Sequence, residues 1–460
     1  MHATARGGRR LGAVVAAIVA LPLGLGAGVA AAWGGAGELF VADATPTPTE
    51  TPMPPLPSAS IDPAPPRTCS ITGTVTQPNA LDAHGLVENA ETGEVLFDYG
   101  AEQPTPTASV MKLVTATTAM YELGPDTRFE TKVYPGETEG TYVLVGGGDP
   151  TLRAGGPSVY GDRAPSLDDL AGQLRERGIR VQRIGYDESL FTGAQWHPSW
   201  HEHDRADGAV GDVSALMVDA GRQDPAAHYS PRTRTPAQDA TNAFAQKLGV
   251  ANAGAQTPKA GSEPVATVQS VTVRDLVHEL LLNSDNIIGE ALARHVAISR
   301  GTGSDFAAIS EAQVQVLREL EVPTDAFNGA DGSGMSLENR ATALTIMGIV
   351  ELIQRDEHGL GELREYLPQN QISGTLKDRL PGIPSGQVQA KTGWTDEVFG
   401  LAGFMTLADG TRLRFAVFVA IPPASGQRTT LDNRDALDAI ITDIYQCGTG
   451  LRGSIRTVSV

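Results

Sequence analysis

The chain has little positive charge, and only two of its 460 residues are cysteines. The sequence has 35 Lys and Arg residues and 54 Asp and Glu residues, which gives a formal net charge of -19. Nucleic-acid binding is therefore not expected, because displacing counterions from phosphates requires clustered Lys and Arg. A hydrophobic share of 41% with 19% charged residues is ordinary for a large globular protein and argues against a fibre or wholesale disorder.

The first 33 residues contain no acidic residue. Three arginines precede an apolar run over residues 11–33, a pattern that predicts an export signal. Ala30 and Ala32 offer a small-x-small cleavage site. The run is also long enough to span a bilayer, which needs about 20 residues, so an uncleaved anchor is the alternative. We expect an exported, cell-envelope protein whose membrane contact, if any, is limited to this segment.

Residues 34–66 are predicted to be a Pro/Thr-rich linker, in which residues 45–66 have almost nothing to bury. A chain of this length favours two folded units in addition to its tails. We predict one discontinuous domain over residues 67–128 and 256–448, interrupted by an inserted domain over residues 129–255. Residues 449–460 are predicted to be a C-terminal tail.

Strand patterns occur at both ends of the predicted discontinuous domain, and helical patterns lie between them. Residues 85–97 predict a hairpin around Thr92-Gly93, and residues 401–421 predict another across Asp409-Gly410. Helices are predicted over residues 108–123, 272–282 and 287–298. These patterns predict a mixed α/β fold in which N- and C-terminal segments share one sheet.

Ser109 and Lys112 lie three residues apart near the start of a predicted helix, so both project from one face. A hydroxyl beside a partly buried amine can act as a nucleophile and its base. Alone, such a pair is weak evidence, because Ser-x-x-Lys occurs by chance in a chain of this length.

Two further motifs make the pair significant. Ser284-Asp285-Asn286 falls in the break between two predicted helices, where Ser284 could relay a proton and Asn286 could hold Lys112. Lys391-Thr392-Gly393 lies on a predicted strand, with a positive charge, a hydroxyl donor for a carboxylate, and a glycine that permits close approach of substrate backbone. The three motifs in this order are typical of β-lactamases and penicillin-binding proteins.

With these motifs, the sequence resembles the low-molecular-mass class C penicillin-binding proteins, the D-alanyl-D-alanine carboxypeptidase/endopeptidases of peptidase family S13. Further similar segments extend over most of the predicted folded part, at residues 106–113, 146–152, 213–216, 331–336 and 373–376. The resemblance implies a serine β-lactamase/transpeptidase-like domain with an inserted, mainly β or mixed subdomain. It departs from the family at Trp394, where a small hydroxyl residue is usual.

The resemblance also implies the roles of the site residues. Ser109 is expected to be acylated, Lys112 to be its base, and Ser284 and Asn286 to form the second catalytic element. Substrate contacts are expected at Lys391, Thr392, Gly393 and Asp285. The expected partners are peptidoglycan stem peptides and β-lactam antibiotics, and no metal or cofactor is required.

Other interpretations of the sequence remain open. A β-lactamase shares the three motifs, and a cell-wall-binding or sensor protein could keep the fold without turnover. The cluster of His197, His201, His203 and Asp204 could ligate zinc in a different kind of peptidase, although no helical period holds these residues together. Ser333, between two glycines, is interpreted as a turn near the site.

Cys69 and Cys447 lie near opposite ends of the predicted folded part. In an oxidising compartment two cysteines suffice for one bond, and we predict that these two form it. The alternative is a pair of buried free thiols. A metal site at these cysteines would need further ligands nearby.

Overall fold

The computed structural model describes residues 67–422 and 425–452. The predicted export segment and linker, and most of the predicted tail, lie outside these ranges. No helix within them combines the length and apolar character needed to cross a membrane.

The described residues form ten strands and ten α-helices, with short 3-10 turns between some of them. The strands are β1 Asp82–Asn89, β2 Val95–Tyr99, β3 Glu130–Pro135, β4 Thr141–Val145, β5 Arg183–Asp187, β6 Ala251–Ala255, β7 Ala266–Gln269, β8 Val388–Thr395, β9 Val398–Thr406 and β10 Arg412–Ala420. The helices are α1 Thr72–Val75, α2 Met111–Leu123, α3 Leu167–Glu176, α4 Glu202–Ala206, α5 Pro236–Leu248, α6 Val273–Leu282, α7 Asn286–Ser299, α8 Phe306–Glu319, α9 Ala343–Arg355 and α10 Leu431–Cys447.

The first sheet has the strand order β2-β1-β10-β9-β8 and is antiparallel throughout. Because β1 pairs with β10, the prediction that the two ends of the chain share one sheet is confirmed. Both predicted hairpins are also confirmed, although β9 begins three residues before the predicted start at residue 401.

Side chains of β10 alternate between two hydrophobic cores on opposite faces of the first sheet. Ala416 and Phe418 pack with α2 and its neighbouring helices, whereas Phe415 and Val417 pack with α10. This alternation follows from the two-residue repeat of a strand. With both faces covered, β9 and β10 are buried along nearly their whole length.

Helix α2 is the central helix of the larger core. Residues Met111–Met120 are all buried, and α2 contacts α6, α7, α8 and α9. The predicted helix began at residue 108, but residues Ala108–Val110 form a 3-10 turn before the α-helix starts. The nucleophile candidate Ser109 therefore lies in a tight turn directly before the N-terminus of the buried helix α2.

A second sheet, with the order β6-β5-β4-β3-β7, forms from residues between α2 and α6. It is mixed, with β4, β5 and β6 parallel and β3 antiparallel to both β4 and β7. Its apolar face packs against α3 and α5. Because β7 lies beyond residue 255 and pairs with β3, we propose residues 129–270, the second-sheet segment, as the inserted unit.

The second-sheet segment begins and ends at one point. The Phe129 N–H donates to Ser270 Oγ at 2.9 Å, and the Ser270 N–H donates to the Phe129 carbonyl at 2.8 Å. The first and last residues of this long segment therefore lie side by side. The helices on either side, α2 and α6, can then pack together as neighbours.

The predicted disulfide is confirmed, since Cys69 and Cys447 are bonded with a Cα–Cα distance of 5.5 Å. The Cys69 N–H donates to the Gly450 carbonyl at 3.0 Å, and the Arg452 N–H donates to the Cys69 carbonyl at 2.8 Å. The bond therefore joins two segments that already pair through their backbones, and it closes a loop that contains both sheets.

We predict that the double variant Cys69→Ser/Cys447→Ser unfolds more easily than the wild type. Loss of a long closed loop lowers the free energy of unfolding by about 5 kcal/mol at most in the chain-entropy model. The measurements are a thermal melt and a non-reducing peptide map of the wild type. An unchanged melting temperature, or two free thiols in the wild type, would contradict a stabilising disulfide.

Candidate active site

The turn that carries Ser109 is held in an uncommon backbone conformation. Ala108 has a φ of 43°, in the left-handed region, which typically costs about 1–3 kcal/mol for a residue other than glycine. Two glycines allow neighbouring segments to approach this turn. A Cβ at Gly334 would lie 1.9 Å from the Ala108 carbonyl oxygen, and one at Gly393 would lie 2.9 Å from that of Thr107. Close packing thus fixes where Ser109 sits.

Lys112 is fully buried, and its Nζ lies near three oxygen atoms. These are Ser109 Oγ at 2.8 Å, Asn286 Oδ1 at 2.5 Å and the Ser333 carbonyl oxygen at 2.5 Å. The amide and carbonyl oxygens can only accept hydrogen bonds. A neutral amine would use its two hydrogens on these acceptors, which leaves its lone pair facing the Ser109 hydroxyl. This is the geometry of a base beside a nucleophile.

The side-chain amide of Asn286 is oriented by a second contact. Its Nδ2 donates to the Ala209 carbonyl at 2.9 Å, so Oδ1 must be the atom that faces Lys112. Ala209 belongs to the second-sheet segment. That segment therefore determines which end of the amide reaches the lysine.

Ser284 and Lys391 form the second hydroxyl–amine pair of the site. Lys391 is fully buried, and its Nζ donates to Ser284 Oγ at 3.0 Å and to the Thr392 carbonyl at 2.8 Å. Ser284 has a φ of 61°, so it too occupies the left-handed region. It lies between α6 and α7, as the sequence predicted.

Burial shifts the pKa values of both lysines downward. Desolvation lowers the pKa of Lys112 to about 8, against the opposing influence of Asp331, Glu290 and Asp285. Desolvation, followed by repulsion from Lys112, holds the pKa of Lys391 well below its usual range. An amine with a pKa near 8 can accept a proton at neutral pH, as a catalytic base requires.

Strand β8 is an edge of the first sheet, and its outer side is covered only at its start. There the Asn370 N–H donates to the Val388 carbonyl, and the Ala390 N–H donates to the Pro368 carbonyl, both at 3.0 Å. Beyond Ala390, no backbone hydrogen bond from outside the sheet reaches β8 within the described ranges. The stretch that contains Thr392 is open to pair with an extended peptide.

Most of the site residues line one cleft of about 830 Å³, whereas the fully buried Lys112 and Lys391 do not reach it. The Thr392 hydroxyl lies 2.7 Å from that of Thr375, which the sequence placed in a similar segment without a role. The following predicted residues reach the cleft wall: Ser109, Ser284, Asp285, Asn286, Thr392 and Gly393. Trp394 also lines it, with 61% of its surface exposed.

Asp285, a predicted substrate contact, has both carboxylate oxygens bonded within the protein. Its Oδ1 accepts from the N–H groups of Ile287 and Ile288, so it caps α7. Its Oδ2 accepts from Tyr160 Oη at 2.9 Å and from Arg222 Nη2 at 2.8 Å. With both oxygens occupied inside the protein, we propose that Asp285 positions α7 instead of binding substrate.

The sequence alone did not reveal Arg222 and Tyr160. Both lie in the second-sheet segment, and the side chains of Arg222 and Asp285 are only 2% and 3% exposed. Burial would raise the pKa of Asp285, but Arg222 and Arg232 outweigh burial and hold it well below its usual range. No local pattern marks Arg222, because its partner is 63 residues away.

The histidine cluster does not converge on a point. His197 is buried and packs edge-on against Phe306, while the rings of His201 and His203 stack on each other. Across the described ranges, no group of three or more His, Cys, Asp or Glu side chains is arranged to hold a metal ion. His201 and His203 instead line the cleft.

Comparison with known proteins identifies relatives of the whole described region. A family model described as the D-Ala-D-Ala carboxypeptidase 3 (S13) family matches residues 68–231 and 222–444. Carboxypeptidase DacB of Mycolicibacterium smegmatis is 33% identical over 378 residues, which cover 80% of this chain and 81% of the relative. A carboxypeptidase of Mycobacterium tuberculosis is 32% identical over 394 residues, which cover 83% of this chain and 84% of the relative.

A solved structure shares the fold. The crystal structure of penicillin binding protein 4 from Haemophilus influenzae superposes with a TM-score of 0.69 at 21% identity, and the match covers 82% of this chain and 98% of that one. The mixed α/β architecture with two sheets is therefore that of a penicillin-binding protein.

We predict that acylation of Ser109 by a penicillin becomes faster as the pH rises through about 8, where Lys112 loses its proton. The midpoint belongs to the pair of Lys112 and Lys391, because their charges interact. Stopped-flow acylation rates across the pH range measure it. The Lys112→Arg variant should not be acylated, because Arg cannot act as a base. Near-normal acylation of that variant would rule Lys112 out as the base.

We also predict that Arg222→Met lowers both stability and acylation. Removing one partner of a buried ion pair typically costs about 3–5 kcal/mol, and the loss should disturb α7 next to Asn286. Arg163→Met is the matched control, since Arg163 is 80% exposed and pairs with Asp275 on the surface. Denaturant unfolding and acylation rates compare the two. Equal, small effects would show that the Arg222 pair does not support the site.

Proposed function

We propose a mechanism for this chain, which belongs to the D-Ala-D-Ala carboxypeptidase 3 (S13) family. It is a serine-type D-Ala-D-Ala carboxypeptidase. Ser109 is the nucleophile, and Lys112 is the base that takes its proton. The substrate is a peptidoglycan stem peptide that ends in D-Ala-D-Ala. The observation that carries this proposal is the contact between Lys112 Nζ and Ser109 Oγ at 2.8 Å, with two acceptors orienting the amine.

In the first step, the Ser109 hydroxyl gives its proton to Lys112 while Oγ attacks the carbonyl carbon between the two D-alanines. The carbonyl oxygen becomes negatively charged in the tetrahedral intermediate. We assign its stabilisation to the backbone N–H groups of Ser109 and Trp394. Ser109 lies in the first turn of a helical segment, where N–H groups have no acceptor within the helix.

The substrate is expected to lie along the open stretch of β8 as an added strand. Its terminal carboxylate would accept hydrogen bonds from the adjacent hydroxyls of Thr392 and Thr375. Lys391 lies directly behind Thr392 and supplies positive charge when it is protonated. Gly393 keeps the strand close to the nucleophile turn, because a side chain there would meet Thr107.

In the second step, the C–N bond breaks and the nitrogen of the leaving D-Ala takes a proton. Ser284 is suited to relay to this nitrogen the proton that Lys112 took from Ser109, because its hydroxyl contacts the Lys391 amine. This transfer leaves Lys112 neutral again. Water then attacks the acyl-enzyme and gives a proton to Lys112, the ester bond breaks to release the shortened peptide, and Lys112 returns that proton to Ser109 Oγ. Serine and lysine return to their starting states, so no cofactor is consumed.

β-Lactams are proposed to acylate Ser109 through the same first step, as cyclic amides that carry a carboxylate for the Thr392 site. A location in the cell envelope is also part of the proposal. Its supports are the disulfide and the basic, then apolar, start of the sequence. The cross-link amide between two stem peptides is chemically equivalent to the D-Ala-D-Ala bond and could be cut in the same way.

The test is labelling with a fluorescent penicillin and digestion of muropeptides, with products identified by mass spectrometry. Wild-type protein should be labelled on Ser109 and should remove one D-Ala from pentapeptides. Ser109→Ala should lose both activities and keep its melting temperature. A label that persists in this variant, or maps to Ser333 or Ser284, would contradict the assignment.

A further inference from the structure

One of the two acceptors that orient Lys112 is a backbone carbonyl, that of Ser333. It belongs to the buried loop of residues 331–336. If this carbonyl moved away, one N–H of a neutral Lys112 would lose its acceptor, and the amine could rotate its lone pair away from Ser109. The position of a single carbonyl therefore controls the direction of the base.

Glu290 holds the segment that carries this carbonyl. Its Oε1 accepts from the N–H of Ser333 at 2.8 Å and from that of Gly332 at 3.1 Å. Glu290 follows Asn286 by four residues on α7, so the two side chains lie on the same helical face. One helix thus provides one acceptor for Lys112 directly, through Asn286, and supports the other through Glu290.

The packing around the 331–336 loop leaves it little freedom. A Cβ at Gly332 would lie 2.4 Å from the Gly289 carbonyl on α7, and one at Gly334 would lie 1.9 Å from the Ala108 carbonyl. The loop is therefore wedged between α7 and the turn of the nucleophile. Thr115 on α2 adds a hydrogen bond of 2.6 Å to the Gly332 carbonyl.

Glu290 is fully buried, and its Oε2 has no hydrogen-bond partner within the described chain. The charged groups that act on it are Asp331 from the loop, Arg294 from its own helix and Lys112 from α2. Burial, with Asp331 next, raises the pKa of Glu290 to about 8, so the carboxyl is mostly neutral at pH 7. In that form it accepts both N–H bonds without adding a charge that would keep Lys112 protonated.

We infer that Glu290 is a positioning residue for the catalytic base, which fixes the Ser333 carbonyl against the Lys112 amine and so directs the lone pair of that amine at Ser109. The inference rests on the proposed function, because it takes Lys112 to be the base. Glu290 itself contacts neither the reacting serine nor the substrate cleft.

The experiment compares full-length wild type with Glu290→Gln, Glu290→Met and Thr115→Val. Gln keeps an acceptor for the two N–H groups, whereas Met has similar volume and no such acceptor. Thr115→Val is the control for loosening the same loop from its other side. Penicillin acylation is followed by stopped flow over a range of pH and of penicillin concentration, which separates the acylation rate from the binding affinity. Thermal melts accompany each variant.

Glu290→Met should lower the acylation rate by about tenfold to a hundredfold, the cost of a small misplacement of a reacting group, with little change in affinity. Glu290→Gln should restore the rate to near the wild-type value. Its pH profile should shift to lower pH, because near pH 8 about half of the Glu290 carboxyls are ionised and their negative charge favours protonated Lys112. Thr115→Val removes one hydrogen bond from this loop instead of two, so it should melt earlier but lose much less of the acylation rate than Glu290→Met.

Distinct results would overturn the inference. The first is a normal acylation rate in Glu290→Met. The second is a loss of acylation rate in Thr115→Val as large as that in Glu290→Met. The third is that Glu290→Met binds penicillin more weakly but keeps its acylation rate. If Glu290→Met does not fold, Glu290→Gln decides, and an unmoved pH profile overturns the inference. Failure of the wild type to be acylated at all would instead overturn the proposed function, and the inference with it.

Discussion

The site depends on burying two lysines behind one cleft, where neither contacts a carboxylate among the described residues. An ammonium group removed from water is costly, so burial favours the neutral amine. Lys112 is buried nevertheless, and two fixed hydrogen-bond acceptors and one hydroxyl surround its amine. Because the acceptors are a side-chain amide and a backbone carbonyl, they orient the amine without adding a negative charge that would favour its protonated form. The nucleophile turn, α7 and the 331–336 loop are all arranged around that single nitrogen atom.

The second-sheet segment is part of this arrangement, although none of the three sequence motifs lies in it. Ala209 fixes the amide of Asn286, and Arg222 with Tyr160 holds the carboxylate that caps α7. Trp200 donates to Asp331 at 2.8 Å and so supports the loop behind Lys112. An inserted unit that only screened the cleft would need no such buried contacts. The segment thus supports Asn286 and the 331–336 loop, which provide the two acceptors for the Lys112 amine.

The sequence identified the residues of the proposed site more fully than the residues that hold them in place. Ser109, Lys112, Ser284 and Asn286 could be found because short spacings and local breaks place them, and the shared sheet followed from strand patterns at both ends. Arg222 could not be found, since its contact with Asp285 joins residues distant in the chain. Asp285 was expected to contact substrate, and no local pattern showed that the N-terminus of α7 takes one of its oxygens. Such choices are settled by tertiary packing, which no local pattern encodes.

The position of β1 in the first sheet has a consequence for biosynthesis. It lies between β2 and β10, and Glu88 pairs with Arg414 across 326 residues of chain. A ribosome releases β1 long before β10 exists, so the first sheet stays incomplete until synthesis is almost finished. The second sheet, by contrast, draws all its strands from one continuous stretch. Until the last strands emerge, Thr392 has no place beside Ser109, and the nascent chain has no working cleft. The order of the strands thus makes the cleft depend on the part of the chain that is synthesised last.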